Sequence, residues 1–233
     1  MTISNFLQEV ADSHGGEILK GANVLLSLDR PVDNLIRKAL ALGPYHPGKE
    51  SAISHCFVLA EDYRGPDTAI LDCTIRDDAG RIEWGGDPVE VIRRGLGNNG
   101  GIYLARSGDY DDPRITPVGV KYIPDLTAQQ RQAVVDAGNA LRATTPPYHY
   151  DLPGLLRELV ALVSGVHLPA GPRLMFCSAF NEACYRNALG EDFSFVPPAV
   201  ASADATPDDL WYSSLGVASA APGAVIPRNV RRS

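Results

Sequence analysis

Pro172-Arg173-Leu174-Met175-Phe176-Cys177-Ser178-Ala179-Phe180-Asn181-Glu182-Ala183-Cys184-Tyr185-Arg186-Asn187-Ala188-Leu189-Gly190 is the stretch around which the chain is organised. Ala179, Phe180, Ala183, Cys184 and Asn187 recur at helical spacing and set an inward face, with Glu182 and Arg186 one turn apart on a wetter side. Gly190 stands where a left-handed cap would close the helix. Cys177 therefore falls at the start of a helix of roughly three turns, beside free N–H groups and the positive end of the dipole. That setting lowers a thiol pKa and favours the nucleophilic thiolate. The competing reading is a buried, inert cysteine, the commoner fate of this residue type. The helix alone does not separate the two, because catalytic cysteines share no general local signature.

The remainder of the chain narrows the choice. Its 233 residues suffice for one domain with a sizeable core. A hydrophobic content of 45% with 21% charged residues is that of an ordinary soluble globular protein. The net charge of −7 argues against a nucleic-acid partner, which calls for a basic face. Cys56, Cys73, Cys177 and Cys184 are too few and too scattered for a disulfide scaffold, and without a C-x-x-C pair they do not suggest a zinc ribbon. The segment Met1 to Glu9 lacks the basic start and apolar run of a signal peptide. No stretch approaches the ~20 apolar residues of a membrane span. The expectation is a protein that is cytoplasmic as made, unless a signal-independent secretion system exports it.

Taken in order, Ile3, Phe6, Leu7, Val10 and Ala11 predict an amphipathic helix over 2–13, stopped at Gly15-Gly16. A buried strand over 23–28 and a helix over 33–42 follow, the latter with Leu35, Ile36, Ala39 and Leu40 inward. Strands over 53–60 and 69–75 are joined by a polar linker containing Gly65-Pro66, as in a hairpin. A third strand is expected within 81–84, a short helix from Pro88, a loop over 95–101, and strands over 101–105 and 116–122. Thr127 and Gln130 form a capping box opening a helix to about Ala143, and Pro146-Pro147 breaks the chain before a helix over 153–164. A last turn begins at Thr206-Pro207, and the Ala/Pro/Gly-rich residues from Gly216 read as a flexible tail. The fold class is α+β, with a central antiparallel sheet and helices at both ends, as one domain over 1–215 followed by a tail over 216–233.

A thiol nucleophile needs a base within reach, and the base needs an orienting group. His55 and Asp72 lie mid-strand in segments expected to pair. Alternation puts His55, Phe57 and Leu59 on one face and Cys56 and Val58 on the other, while Asp72 shares its face with Ile70 and Thr74. An ionisable pair in apolar strands is costly to bury unless matched, so the two are read as partners. A purely structural His–Asp bond, or an exposed sheet face, is the alternative. A metal site built from His55, Cys56, Asp72 and Cys73 is disfavoured, because strand neighbours point to opposite faces. Of the other histidines, His14 and His46 read as solvated, His167 as structural, and His149 as an alternative base.

The order of these segments resembles the circularly permuted branch of the NlpC/P60 superfamily of papain-like cysteine hydrolases, in which the histidine precedes the cysteine. The resemblance runs over about 18–215 and is carried by six short motifs: Gly21-Ala22-Asn23-Val24-Leu25-Leu26, Ser54-His55-Cys56-Phe57-Val58, Ile70-Leu71-Asp72, Tyr148-His149-Tyr150-Asp151, Phe176-Cys177-Ser178-Ala179-Phe180 and Thr206-Pro207-Asp208-Asp209-Leu210. It implies a papain-like fold with the nucleophile helix against the sheet. Cys177 would be the nucleophile, His55 the base and then the acid, and Asp72 the orienter. The Cys177 N–H would serve an oxyanion hole, and Ser54, Ser178 and Tyr150 would lie at the substrate. No metal or organic cofactor is required. The implied substrates are amide bonds, foremost those of peptidoglycan, with lipid or thioester acyl groups as the alternative and a catalytically silent binding module as a further one. Some bacterial members of the family are antibacterial effectors injected into rivals, which would bring an immunity or delivery partner. Two departures stand out: Ala22 follows Gly21 where the family has aspartate, leaving Asp29 to supply that carboxylate, and Asp72 is a short side chain for the third position.

Overall fold

Strands whose residues alternate between two covered faces organise the molecule. The computed structural model describes residues 1–41, 45, 49–82, 100–150, 174–196, 204–224 and 231–232. Its helices are α1 (Ile3–Ser13), α2 (Pro31–Leu40), α3 (Ala128–Arg142), α4 (Cys177–Leu189) and α5 (Pro207–Tyr212). Its strands are β1 (Asn23–Leu28), β2 (His55–Leu59), β3 (Ala69–Ile75), β4 (Gly100–Arg106), β5 (Ile115–Tyr122), β6 (His149–Tyr150), β7 (Leu174–Met175), β8 (Val217–Ala220) and β9 (Arg231–Arg232), with a 3₁₀ turn at Ser107–Tyr110. The main sheet runs β4-β3-β2-β1-β5-β8-β9, antiparallel except at the β8–β9 edge. The fold is α+β around an antiparallel sheet.

The two faces read directly off the strands. One carries Leu25, Cys56, Val58, Leu71, Cys73 and Ile75, covered by Val134 and Val135 of α3, Phe180, Cys184 and Tyr185 of α4, and Trp211 of α5. The other carries Val24, Leu26, Leu28, Phe57, Leu59 and Ile70, covered by Ile3, Phe6, Leu7, Val10 and Ala11 of α1 and by Tyr110. A sheet buried on both faces needs apolar residues at successive positions, which is why β1 and β2 contain near-continuous apolar runs. Burying each large side chain contributes about 1.5–3 kcal/mol, so the two layers dominate stability.

Local chemistry sets the helix starts. Thr127 and Gln130 form the expected capping box of α3, and Thr206 and Asp209 form another for α5. Pro31 occupies the first turn of α2, two positions earlier than expected, where its missing N–H costs nothing. Gly119 lies in β5 beneath the Trp211 ring, where any side chain would collide with the indole.

Three expectations need correcting. The residues after Gly216 are not all tail: Val217–Ala220 pairs with β5 as β8, and Arg231–Arg232 pairs with β8. Glu182 does not face solvent. It is fully buried, accepting bonds from the Ser194 hydroxyl at 2.6 Å and the Phe195 N–H at 2.8 Å. His14 bonds Ser219 through Nε2 at 2.7 Å and packs edge-on to Tyr122, so it is a part-buried link between α1 and β8. Of the expected strand over 81–84, Ile82 makes an isolated bridge to Arg76. Residues 83 and 84 of that strand, the helices from Pro88 and over 153–164, His46 and His167 lie outside the described residues.

Candidate active site

His55 opens β2 and Asp72 sits mid-way along β3, both 0% exposed. The His55 Nε2–H donates to Asp72 Oδ1 at 2.9 Å. The Tyr110 hydroxyl lies 2.9 Å from the same nitrogen and donates to Asp72 Oδ2 at 2.6 Å. The Arg76 guanidinium stands 3.9 Å from Asp72 Oδ2 and over the Tyr103 ring. Burial works to raise the Asp72 carboxyl pKa, but His55, Arg76 and the Tyr110 hydroxyl outweigh it and hold it below the usual carboxylate range. The paired reading of His55 and Asp72 thus holds in geometry.

Cys177 is the first residue of α4, after the N-cap Phe176, and is 2% exposed. Its N–H belongs to the first turn and has no intrahelical acceptor. Segment β7 leads into it, pairing in parallel with β6, and the Cys73 thiol donates to the Met175 carbonyl at 3.3 Å, which ties the approach to β3. The ladder between β2 and β3 runs through Val58–Leu71 and Leu59–Ile70 only. His55 and Cys56 lie beyond it, where the Cys177 thiol meets the His55 ring together with the Cys56 thiol and backbone N–H. The ring's Nδ1 has no nitrogen or oxygen partner, which leaves it to the Cys177 sulfur that interacts with the ring. Alternation separates the side chains of His55 and Cys56, which stay paired with β1 through Leu26 and Leu25, yet the Cys177 sulfur interacts with both at the end of β2 that β3 leaves unpaired.

The charges follow. The Cys56 thiol, donating to Cys177, lowers the Cys177 pKa; burial opposes this, and the charge of His55 and the Cys56 N–H reinforce it, leaving Cys177 well below an ordinary thiol. Burial alone would lower His55, but the Cys177 thiolate and Asp72 outweigh it and push the imidazole up to about 10. Burial pushes Cys56 up, so it stays a thiol. Both shifts run toward a thiolate–imidazolium pair, with the Asp72 carboxylate behind the ring.

The expected substrate contacts divide. Tyr150 is buried beside the thiol, and burial, then the Cys177 charge, raise its pKa and keep it a phenol. Ser54 and Ser178 are fully buried and bonded within the fold, Ser54 Oγ accepting the Leu28 N–H at 3.0 Å and Ser178 donating to the Ala205 carbonyl at 2.6 Å. These bonds tie the start of β2 to β1 and the first turn of α4 to Ala205. Asp29 is exposed and accepts from Asn34; the buried carboxylate near β1 is Asp33, paired with Arg30 close to Tyr150. His149 lies on β6, part-buried. Tyr110 and Cys56 escaped sequence reasoning: a tyrosine in a 3₁₀ turn carries no periodic signal, and Cys56 was assigned by alternation to the far face.

No family model matches the chain, and no curated protein matches it significantly. Among the described residues, no helix is long and apolar enough to cross a membrane, and no group of three or more His, Cys, Asp or Glu could hold a metal ion.

Proposed function

We propose that the chain is a papain-like thiol hydrolase in which Cys177 attacks an acyl carbonyl, His55 transfers protons and Asp72 orients the ring. The observation that carries this is the His55 ring: Nε2 is bonded to Asp72 at 2.9 Å, while Nδ1 has no nitrogen or oxygen partner and is left to the Cys177 thiol. A structural histidine would spend both nitrogens on fixed partners, because an unpaired buried polar atom costs about 1–3 kcal/mol.

The chemistry is balanced within these groups. The thiolate adds to the carbonyl carbon, the π pair moves onto oxygen, and the first-turn N–H of Cys177 is placed to stabilise that oxyanion. Collapse re-forms the carbonyl and breaks the bond to the leaving group, which takes the proton from His55 Nδ1. Neutral His55 then deprotonates a water that attacks the acyl-enzyme. The C–S bond breaks, the acid leaves, and thiolate and imidazolium are restored.

The similarity to permuted NlpC/P60 hydrolases points to amide bonds of peptidoglycan stem peptides as the substrate. Incubation with purified peptidoglycan, and in parallel with phospholipids and acyl thioesters, followed by product mass analysis, tests this. Peptide fragments formed by the wild type and absent with Cys177→Ala are expected. Products from the lipid or thioester arm alone would redirect the reading to acyl hydrolysis, and no product in any arm would favour a silent binding module.

A further inference from the structure

We infer that Tyr110 is a positioning residue of this site, acting on His55 through Asp72; the inference rests on the thiol-hydrolase reading and deepens it. Three distances close a triangle: Nε2 to Oδ1 at 2.9 Å, Nε2 to the phenol oxygen at 2.9 Å, and the phenol to Oδ2 at 2.6 Å. All three side chains are 0% exposed, so water does not compete for the bonds. A carboxylate bonded through one oxygen still swivels about its last torsion, whose well is broad. With Oδ1 held by the imidazole and Oδ2 by the phenol, that torsion is fixed and the plane of the carboxylate is set. Asp72 is short for its task, and Tyr110 supplies the second anchor that its length does not.

The ring geometry extends the same control. The Tyr110 and His55 rings lie nearly parallel, 18° apart with centroids at 5.7 Å, and Phe57 packs on the Tyr110 ring at 5.1 Å. The phenol donates its one proton to Asp72, so toward Nε2 it offers only a lone pair. Both groups facing Nε2 are then acceptors, which holds the proton on Nε2. The tautomer that leaves Nδ1 as the base toward Cys177 is thereby selected.

The test is Tyr110→Phe, which removes one oxygen and keeps the rings. The readout is the pH dependence of iodoacetamide alkylation at Cys177, which needs no substrate. Losing the second anchor frees the Asp72 carboxylate to swivel and weakens its charge-assisted bond to the His55 Nε2–H, so the thiolate–imidazolium pair is less stabilised. The acid limb of the profile should therefore move up by about one pH unit, with alkylation about tenfold slower below neutrality. In an Asp72→Asn background the same change should have no further effect, because the path through the carboxylate is gone. A merely structural tyrosine would lower the melting temperature and leave the limb in place. A limb within about 0.2 unit of the wild type overturns the inference. Should Tyr110→Phe not fold, the wild-type protein answers by NMR: a slowly exchanging Tyr110 hydroxyl proton with a cross-peak to the His55 ring is expected, and its absence overturns the inference. Wild-type Cys177 reacting no faster than Cys56 or Cys73 would instead remove the hydrolase reading, so the two failures are distinct.

Discussion

Replacing Asp72 by asparagine keeps the shape of the side chain and removes its charge. The amide oxygen can accept from His55 or from Tyr110 but not from both in their present geometry, and the amide N–H₂ must then face a donor. Two magnitudes compete. Removing one partner of a buried ion pair costs about 3–5 kcal/mol when the other charge is trapped. His55 is not trapped, because it can pass its proton to Cys177 and become neutral, so the smaller cost of a lost charge-assisted bond, about 1.5–3 kcal/mol, applies. The thiolate population should accordingly fall about 10- to 150-fold where the wild type is ion-paired. Cys177 alkylation, followed by peptide mass mapping between about pH 5 and pH 8, reads that loss. The sign of the stability change follows from the depressed Asp72 pKa. Its contribution is present above the ordinary aspartate value of about 4 and is lost as the pH falls. The melting-temperature gap between the two proteins should thus be widest near neutrality and close toward acid. An Asp72→Asn protein that alkylates at the wild-type rate across this range would refute the reasoning.

Three other outcomes follow from the same structure. Gly119→Ala would drive a methyl group into the Trp211 ring and within 2.9 Å of the Ser219 carbonyl, destabilising the fold by about 1–3 kcal/mol as read by urea unfolding. Glu182→Gln can satisfy only one of the Ser194 and Phe195 donors as well as the carboxylate does, and should lower stability by about 1–3 kcal/mol. Asp208 is buried on α5 beneath the Ser51 hydroxyl; burial raises its pKa to about 7, with the Ser51 bond opposing. Its contribution to stability is full below the ordinary aspartate value and is lost as the pH rises through about 7. Asp208→Asn should therefore raise the melting temperature at pH 8 and leave it near wild type at pH 5, and equal shifts at both would contradict the assignment.

Much of this was legible in the residues, and the remainder was not for definite reasons. The β3 boundaries, Ala69–Ile75, coincide with the expected ones because aliphatic and β-branched residues flank Asp72 and Cys73 on both sides and the polar Asp67 and Arg76 stand beyond the ends. The His55–Asp72 contact followed from alternation in two strands joined by a hairpin. The wet side of α4 was misplaced because the segment over 194–196 folds back onto Glu182, a contact that helical periodicity cannot register. β8 was hidden because Val217-Ala218-Ser219-Ala220 consists mostly of small residues, and its pairing is dictated by β5 rather than by its own propensity. Tyr110 reaches the site from a 3₁₀ turn, where side-chain direction follows from the turn geometry alone. The Cys56 contact depends on where α4 delivers Cys177 against the end of β2, which strand alternation does not encode.

The central claim is that Cys177 rests as a thiolate paired with His55. It is tested most directly by limited iodoacetamide labelling at about pH 6, where free thiols are protonated, with all four cysteines quantified by peptide mass. Label should accumulate on Cys177 well before Cys56, Cys73 or Cys184, and His55→Ala should abolish the preference. Equal labelling of the four, or a preference that survives His55→Ala, would contradict the account.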